Sequence, residues 1–373
     1  MDPSEPFTGR FPLVARFRPA CLPLPSRVQA LADLAEAAGR QNDQGQASAV
    51  YNQSALLASD LGLPSLARTL CRQHATAYLH ACPLPAMSAI RGLEPLVNLA
   101  RLQIRAGHAD DGRRRLLQLY EAVSTGRAAE FDGIPVPADL TASAEQQREV
   151  RGWLWRVLLA DGTRTYTTAG RWQEALAHIE QHQGVGTRML DGRQVAVLAA
   201  LTAGNTQHAA RLLSGTAPGD EWQQVVTACL AVFCRRYTGE PVDAQAAALA
   251  RTYLRRQPEP GLTVFDIRLG LAILDAVGPT GAPAAHRLAE DLVRRTLDAR
   301  DGYAARDILS HPACATTTGS RHTPSLAALV RSCALGAGVF PDGLREQVLA
   351  AASAADRVIR ESLGHPAQAV NAL

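Results

Sequence analysis

The chain has 373 residues, 47% hydrophobic and 20% charged, which supplies a core for one large domain or two ordinary ones and excludes global disorder. All 38 basic residues are Arg, so a Walker A phosphate loop and a Schiff-base lysine are excluded. A net charge of +3 does not call for nucleic acid or an anionic membrane as partner.

Residues 1–26 carry six prolines, Asp2 and Glu5, and no apolar stretch followed by a small-residue cleavage site. They read as a Pro-rich N-terminal arm running extended over the first helical hairpin, and a secretory signal is not expected. No run of about 18 apolar residues follows, so no transmembrane helix is expected. From 27 to 363 helical periodicity dominates. Leu96, Leu99, Ala100, Leu102 and Ile104 recur at near-helical spacing, as do Leu116, Leu117, Tyr120 and Val123, then Val195, Leu198 and Leu201, then Val225, Cys229, Val232 and Phe233. Strand signals are few: aromatic residues are 5% and β-branched clusters are short. The expectation is an all-α protein of roughly sixteen helices without a sheet. Ser143 with Gln146 fits a capping box, and Thr323 before Pro324 fits an N-cap with Pro at the first helical position.

Two stretches break the pattern. Residues 127–141, with Pro135 and Pro137, read as a surface loop. Residues 311–323 (HPACATTTGSRHT) read as a polar loop too broken for a helix. A last helix at about 342–363 ends near Gly364, and residues 364–373 form a frayed C-terminal tail. The organisation expected is an arm at 1–26, a single helical-repeat domain at 27–363 and that tail. Seven scattered cysteines without a C-x-x-C suit free thiols in a reducing cytoplasm. Arg without Lys, with abundant Ala, Leu, Gly and Pro, suggests a high-GC bacterial genome.

A repeat organises the helices. Ala106-Gly107, Ala169-Gly170 and Ala203-Gly204 each end an apolar helix, and a second helix follows a short turn. Five residues after each glycine stands a small residue (Gly112, Ala175, Ala209), and four further on an aliphatic one (Leu116, Ile179, Leu213). Gly170 to Gly204 is 34 residues, Gly204 to Gly239 is 35 and Gly239 to Gly278 is 39. Glycine supplies the positive φ that ends a helix, and the small residue lets the second helix pack close to the first. Leu159 to His182 is the best single unit, with Tyr166 in the first helix and Gly170-Arg171-Trp172-Gln173-Glu174-Ala175-Leu176 across the turn. This resembles a degenerate tetratricopeptide repeat over about residues 93–300. The resemblance implies a right-handed stack of antiparallel helical hairpins, a TPR-like α-solenoid. The departures are Gly112 in place of the usual Ala, the drift in spacing to 39, and few units ending in Pro. The alternative is an irregular helical bundle with the same hairpins and no superhelix.

Few constellations carry chemistry. His178 and His182 lie one helical turn apart, a zinc-compatible spacing with no third ligand, and read as solvent-facing histidines. His311, Cys314 and His322 share the 311–323 stretch and read as a polar loop with an incidental thiol, although this is where an active site would first be sought. Arg113-Arg114-Arg115, Arg235-Arg236, Arg255-Arg256 and Arg294-Arg295 read as solvated helix faces. No catalytic residue, metal site or cofactor is expected.

In the family that the repeat resembles, the first helix of each hairpin lines a concave groove. Counting back from the turn glycines then places Asn98, Arg101 and Arg105 there, followed by Asp161 and Arg164, Asp191 and Gln194, Phe233, Arg236 and Tyr237, and Arg268. An Asn and two Arg at spacings of 3 and 4 on one face resemble positions that grip acidic peptide ends, since the guanidinium fork bonds a carboxylate bidentately. The ligand-binding set expected is Asn98, Arg101, Arg105, Arg164, Gln194, Arg236, Tyr237 and Arg268. The function expected is a cytoplasmic, non-catalytic adaptor or regulator binding a peptide or partner protein, acidic in part, with neither membrane nor nucleic acid as partner. Two alternatives stand: an enzyme or accessory protein of a biosynthetic pathway holding a small molecule or precursor peptide, and a nucleic-acid-binding solenoid.

Overall fold

A computed structural model describes residue 1, residues 7–278 and residues 283–364, with the side chains of 315–321 excepted. The expected tail beyond 364 and residues 2–6 of the expected arm lie outside the described residues. Helix accounts for 73% of the chain, in 17 α-helices, with one two-stranded sheet among the described residues. The chain forms two compact units. The first is Leu24–Gly162 with Ala334–Leu373; the second is Met1–Pro23 with Thr163–Cys333.

The first unit holds α1 (Leu24–Gln41), α2 (Gln44–Asp60), α3 (Pro64–Leu79), α4 (Ala86–Arg105), α5 (Ala109–Thr125) and α6 (Ala144–Val157). A π-helical turn, Leu158–Gly162, follows α6. Successive helices pack on one another, α2 also meets α4, and α4 also meets α6. The small sheet stands between α5 and α6, where a loop without a sheet was expected: β1 (Ala129–Phe131) pairs antiparallel with β2 (Ile134–Val136). Its turn is Asp132-Gly133, with φ of +52° and +79°, the left-handed pair that a two-residue hairpin requires. Pro135 faces out while Ile134 and Val136 are buried, so the prolines that suggested a loop are compatible with a strand.

The second unit holds α7 (Thr163–Thr167), α8 (Trp172–Gln181), α9 (Asp191–Thr202), α10 (Thr206–Ser214), α11 (Glu221–Tyr237), α12 (Asp243–Arg255), α13 (Thr263–Val277), α14 (Pro283–Ala299), α15 (Gly302–Leu309) and α16 (Pro312–Ser332). Here α9 meets α11, α11 meets α13 and α13 meets α15, while α12 meets α14 and α14 meets α16. The chain then returns to the first unit as α17 (Asp342–Gly364), which packs on α1, α2 and α3. Tyr51 on α2 donates to Asp356 on α17 at 3.1 Å.

All five turn glycines singled out in the sequence have positive φ: Gly107 +89°, Gly170 +69°, Gly204 +75°, Gly239 +78° and Gly278 +88°. At the first four the backbone closes in the same way. The glycine N–H returns to the carbonyl three residues back, and the next N–H returns to the carbonyl five back, as His108 does to Gln103. Gly62 and Asn42 end α2 and α1 with the same pair of bonds. The small residue beyond the turn is buried: Ala175 and Ala209 are fully covered, and a Cβ on Gly112 would come within 2.7 Å of the Ala100 carbonyl. Glycine replaces alanine there because α4 and α5 leave no room for a methyl group.

Capping follows the sequence at one site and departs from it at another. Ser143 Oγ accepts from the Gln146 N–H at 3.2 Å, but Gln146 Oε1 has no hydrogen-bond partner, so the box forms in one direction only. Pro324 lies inside α16 and does not start a helix. The helix begins at the N-cap His311, with Pro312 at the first position. The stretch 311–323 is therefore helical, contrary to expectation. Packing of α16 against α14 and α15 outweighs its Thr-rich, Pro-interrupted composition.

Candidate functional site

The residues expected to line a groove divide between the units. Asn98, Arg101 and Arg105 belong to the first, and Arg164, Gln194, Arg236, Tyr237 and Arg268 to the second.

In the first unit, α2 and α4 face each other through a polar ladder. Asn52 donates to Glu94 at 2.7 Å, Asn98 donates to Asn52 at 3.0 Å, and Arg101 donates to Asn98 at 3.0 Å. Arg101 also pairs with Asp161 of the π-helical turn at 2.8 Å. Arg105 donates to Ser59 at 2.7 Å and lies 3.5 Å from Asp60, which also holds Arg27 at 2.8 Å. Burial pushes the Glu94 carboxyl up, while Asn52 and the arginines Arg101 and Arg91 pull it back. The expected positive patch is thus matched by in-chain carboxylates. An incoming acid would have to compete with Asp161 and Asp60.

The second unit is different, because its first-of-hairpin helices are covered by the N-terminal segment. Leu13 N–H donates to Gln194 Oε1 at 2.7 Å, and Gln194 Nε2 donates back to the Leu13 carbonyl at 2.7 Å. One fully buried amide on α9 therefore reads both backbone groups of one residue, as a strand neighbour would. Arg164 approaches the Pro12 carbonyl at 3.5 Å. The Phe7 ring stacks on Phe233 of α11 at 4.0 Å, and Phe11 meets Phe7 edge-on. Arg10 forms an ion pair with Asp275 of α13, and Arg16 pairs with Asp191 of α9 at 2.7 Å. Further along, Arg18 N–H donates to the Gly261 carbonyl at 2.8 Å, and its guanidinium lies 3.9 Å from the Tyr303 ring centre on α15. Cys21 N–H donates to Asp301, and the Cys21 carbonyl accepts from Gly302 at 2.8 Å. The expected course of the arm over the first hairpin, α1 and α2, is corrected accordingly: the anchors Phe7, Arg10 and Leu13 find their partners on α11, α13 and α9.

The remaining expected residues serve the helices themselves. Arg236 donates to the Asp275 carbonyl at 3.1 Å and to the Ala276 carbonyl, satisfying the C-terminal end of α13. Arg268 pairs with Asp307 of α15 at 2.7 Å. Tyr237 is the half-buried last residue of α11. The residues that sequence reasoning missed are Asp275, Asp301 and Tyr303. One signal pointed to them: an arm carrying Arg10, Arg16 and Arg18 with no acid between Phe7 and Cys21 needs carboxylates from elsewhere.

Asp275 also receives His311, whose Nε2 lies 3.1 Å from Oδ1. The other ring nitrogen of His311 accepts from the Cys314 N–H at 3.4 Å, so the imidazole caps α16 and is tied on both sides. Burial pushes the Cys314 thiol up to about 12, leaving it protonated and a poor nucleophile. His322 lies further along α16, half-buried. Elsewhere two expectations of exposure are overturned. His178 is buried beside Tyr166 rather than solvent-facing, and burial lowers the pKa of its neighbour His182. Arg256 and Arg295 are likewise buried, Arg256 against Asp266 at 3.3 Å and Arg295 against Asp291, while Arg255 and Arg294 stay at the surface. Among the described residues no group of three His, Cys, Asp or Glu side chains is placed to hold a metal ion, and no helix is long and apolar enough to cross a membrane.

No protein-family model matches the chain, and no curated protein or solved structure does either.

Proposed function

We propose that this chain is a non-catalytic, tetratricopeptide-like helical-repeat protein that binds an extended segment of a peptide or partner protein along the first helices of its hairpins. Three features support the repeat reading: the recurring glycine closures, the small residues behind them, and the contacts of first helix with first helix and second with second within the second unit. The observation that carries the binding reading is the Gln194 amide pairing with both backbone groups of Leu13. A buried amide that reads main chain rather than side chain is a device for holding extended polypeptide of varied sequence. Selection of the full chain against a displayed peptide library, with a Gln194→Leu chain as counter-selection, tests the proposal. Peptides retained by the wild type and released by the variant are expected. Enrichment of none, or of peptides indifferent to Gln194 and to every other first-helix residue, would overturn it.

A further inference from the structure

The face that would take a peptide in the second unit already has an occupant, and that occupant displays the chemistry the face selects. Residues 7–21 join neither a sheet nor an α-helix. They are held by anchors: the Phe7 ring on Phe233, Arg10 on Asp275, the Leu13 backbone on Gln194, and Arg16 on Asp191. Both carboxylates among these anchors, Asp275 and Asp191, meet an arginine. An acidic peptide laid in the same register would set its carboxylates against Asp275 and Asp191, whereas Gln194 would accept any residue with a free N–H and C=O.

Resting on the peptide-binding reading, we infer that this face binds, in trans, a basic extended peptide of the arm's own pattern: an aromatic residue, an Arg three positions on, then a second aromatic. The arm is the built-in competitor for the site. It is seated unevenly along its length, with both ends, Phe7 and Cys21, buried. Phe11 and Leu13 are buried, whereas Arg16 and Phe17 are 57% and 76% exposed, so exchange begins from the middle of the segment. Tethering gives the arm a high effective concentration, which masks the site in the intact chain and makes access depend on arm release.

The test uses a fluorescent peptide of residues 7–18 (FTGRFPLVARFR) and the full-length chain. Wild type is expected to bind it weakly. A chain in which Arg10→Glu sets a second carboxylate against Asp275 is expected to bind it about tenfold more tightly or better. Adding Asp275→Asn or Gln194→Leu to that chain should remove the gain, and a peptide carrying the Arg10→Glu change should not bind. A folded Arg10→Glu chain that ignores the peptide, or binds both peptides alike, would overturn the inference. Hydrogen exchange on the wild type gives a second reading should the variant not fold. The Leu13 amide should exchange faster than the α9 and α13 amides and faster still with added peptide; exchange of all three only through global unfolding would overturn the inference. Library peptides that depend on Gln194 yet are acidic would sink the basic-ligand inference and leave peptide binding standing. Silence in both experiments would remove both.

Discussion

The first helices of the hairpins in the two units solve one problem in different ways. In the first unit, α4 carries Glu94, Asn98, Arg101 and Arg105 on one stripe, and α2 and the π-helical turn answer them group by group. In the second, α9 and α13 are apolar nearly all round, with Val195 to Leu201 and Ile267, Leu269 and Leu271 to Leu274 buried. A helix hydrophobic on every side must be covered on every side. Neighbouring hairpins cover part of α9 and α13, and the segment carrying Phe7, Arg10 and Leu13 supplies contacts that no helix does. A polar stripe can be balanced by neighbouring helices; an all-apolar helix recruits distant chain.

That contrast is broken most directly at Phe11, which is 1% exposed. Phe11→Ala should cost about 3–5 kcal/mol in urea unfolding, the range for truncating a buried aromatic ring. The loss should be confined to second-unit amides in hydrogen exchange. A cost below about 1 kcal/mol would mean that the arm adds nothing to that unit's core.

The units should also tilt in opposite directions with pH. Burial between Tyr51 and Tyr78 lowers the His74 imidazole to about 3. The unfolded imidazole takes a proton near 6.5 and the folded one refuses it until about pH 3, so the first unit weakens as pH falls through that window, by on the order of 1.4 kcal/mol per pH unit. In the second unit, burial raises Asp266 to about 6 despite Arg256 and Arg295. Its folded form binds a proton more tightly than the unfolded one. That contribution is present below the unfolded carboxylate range near 4 and lost as pH rises through about 6. Between pH 4 and 6, opening free energies from hydrogen exchange, corrected for the intrinsic rate at each pH, should therefore fall in the first unit and rise in the second as acid is added. His74→Phe should flatten the first slope and Asp266→Asn the second. Parallel slopes in both units would show that neither group governs its unit.

What could be read from sequence was what local chemistry decides. The turn glycines were legible because a left-handed helix end needs no distant partner, and Gly204→Val should therefore cost on the order of 1–2 kcal/mol in thermal unfolding. Its φ is +75° and nothing lies near a new Cβ, so backbone strain is the whole effect. Gly112→Ala should cost about 1–3 kcal/mol for the opposite reason, through crowding of Ile104 and the Ala100 carbonyl. Equal stability of both variants with wild type would remove the hairpin register. The first-helix positions were legible in part. Gln194 and Phe233 proved to touch extended chain, but Asp275 did not emerge because its partner stands 265 residues away. The Asp132-Gly133 hairpin was hidden by its neighbouring prolines. The helix at 312–332 was hidden by threonines and Pro324, whose poor propensity is overruled by packing that no local window contains.

The smallest effect concerns the ladder of the first unit, and it separates a positioned charge from a solvated one. Asp60 is held by two arginines. Arg27 is 12% exposed and lies at 2.8 Å, whereas Arg105 is 43% exposed and lies at 3.5 Å. Removing Arg105 leaves the carboxylate with its closer, drier partner, so Arg105→Ala should change stability by roughly 0–1 kcal/mol, the range for an exposed pair. Removing Arg27 takes from the nearly buried Asp60 the closer and drier of these two contacts, and Arg27→Ala should cost distinctly more. In the double variant Asp60 loses both, so the two losses should not add: the cost should exceed the sum of the single variants. Simple additivity in that cycle would mean that the arginines act independently of Asp60. The ladder would then be a set of surface contacts, and the contrast with the covered helices of the second unit would rest on the arm alone.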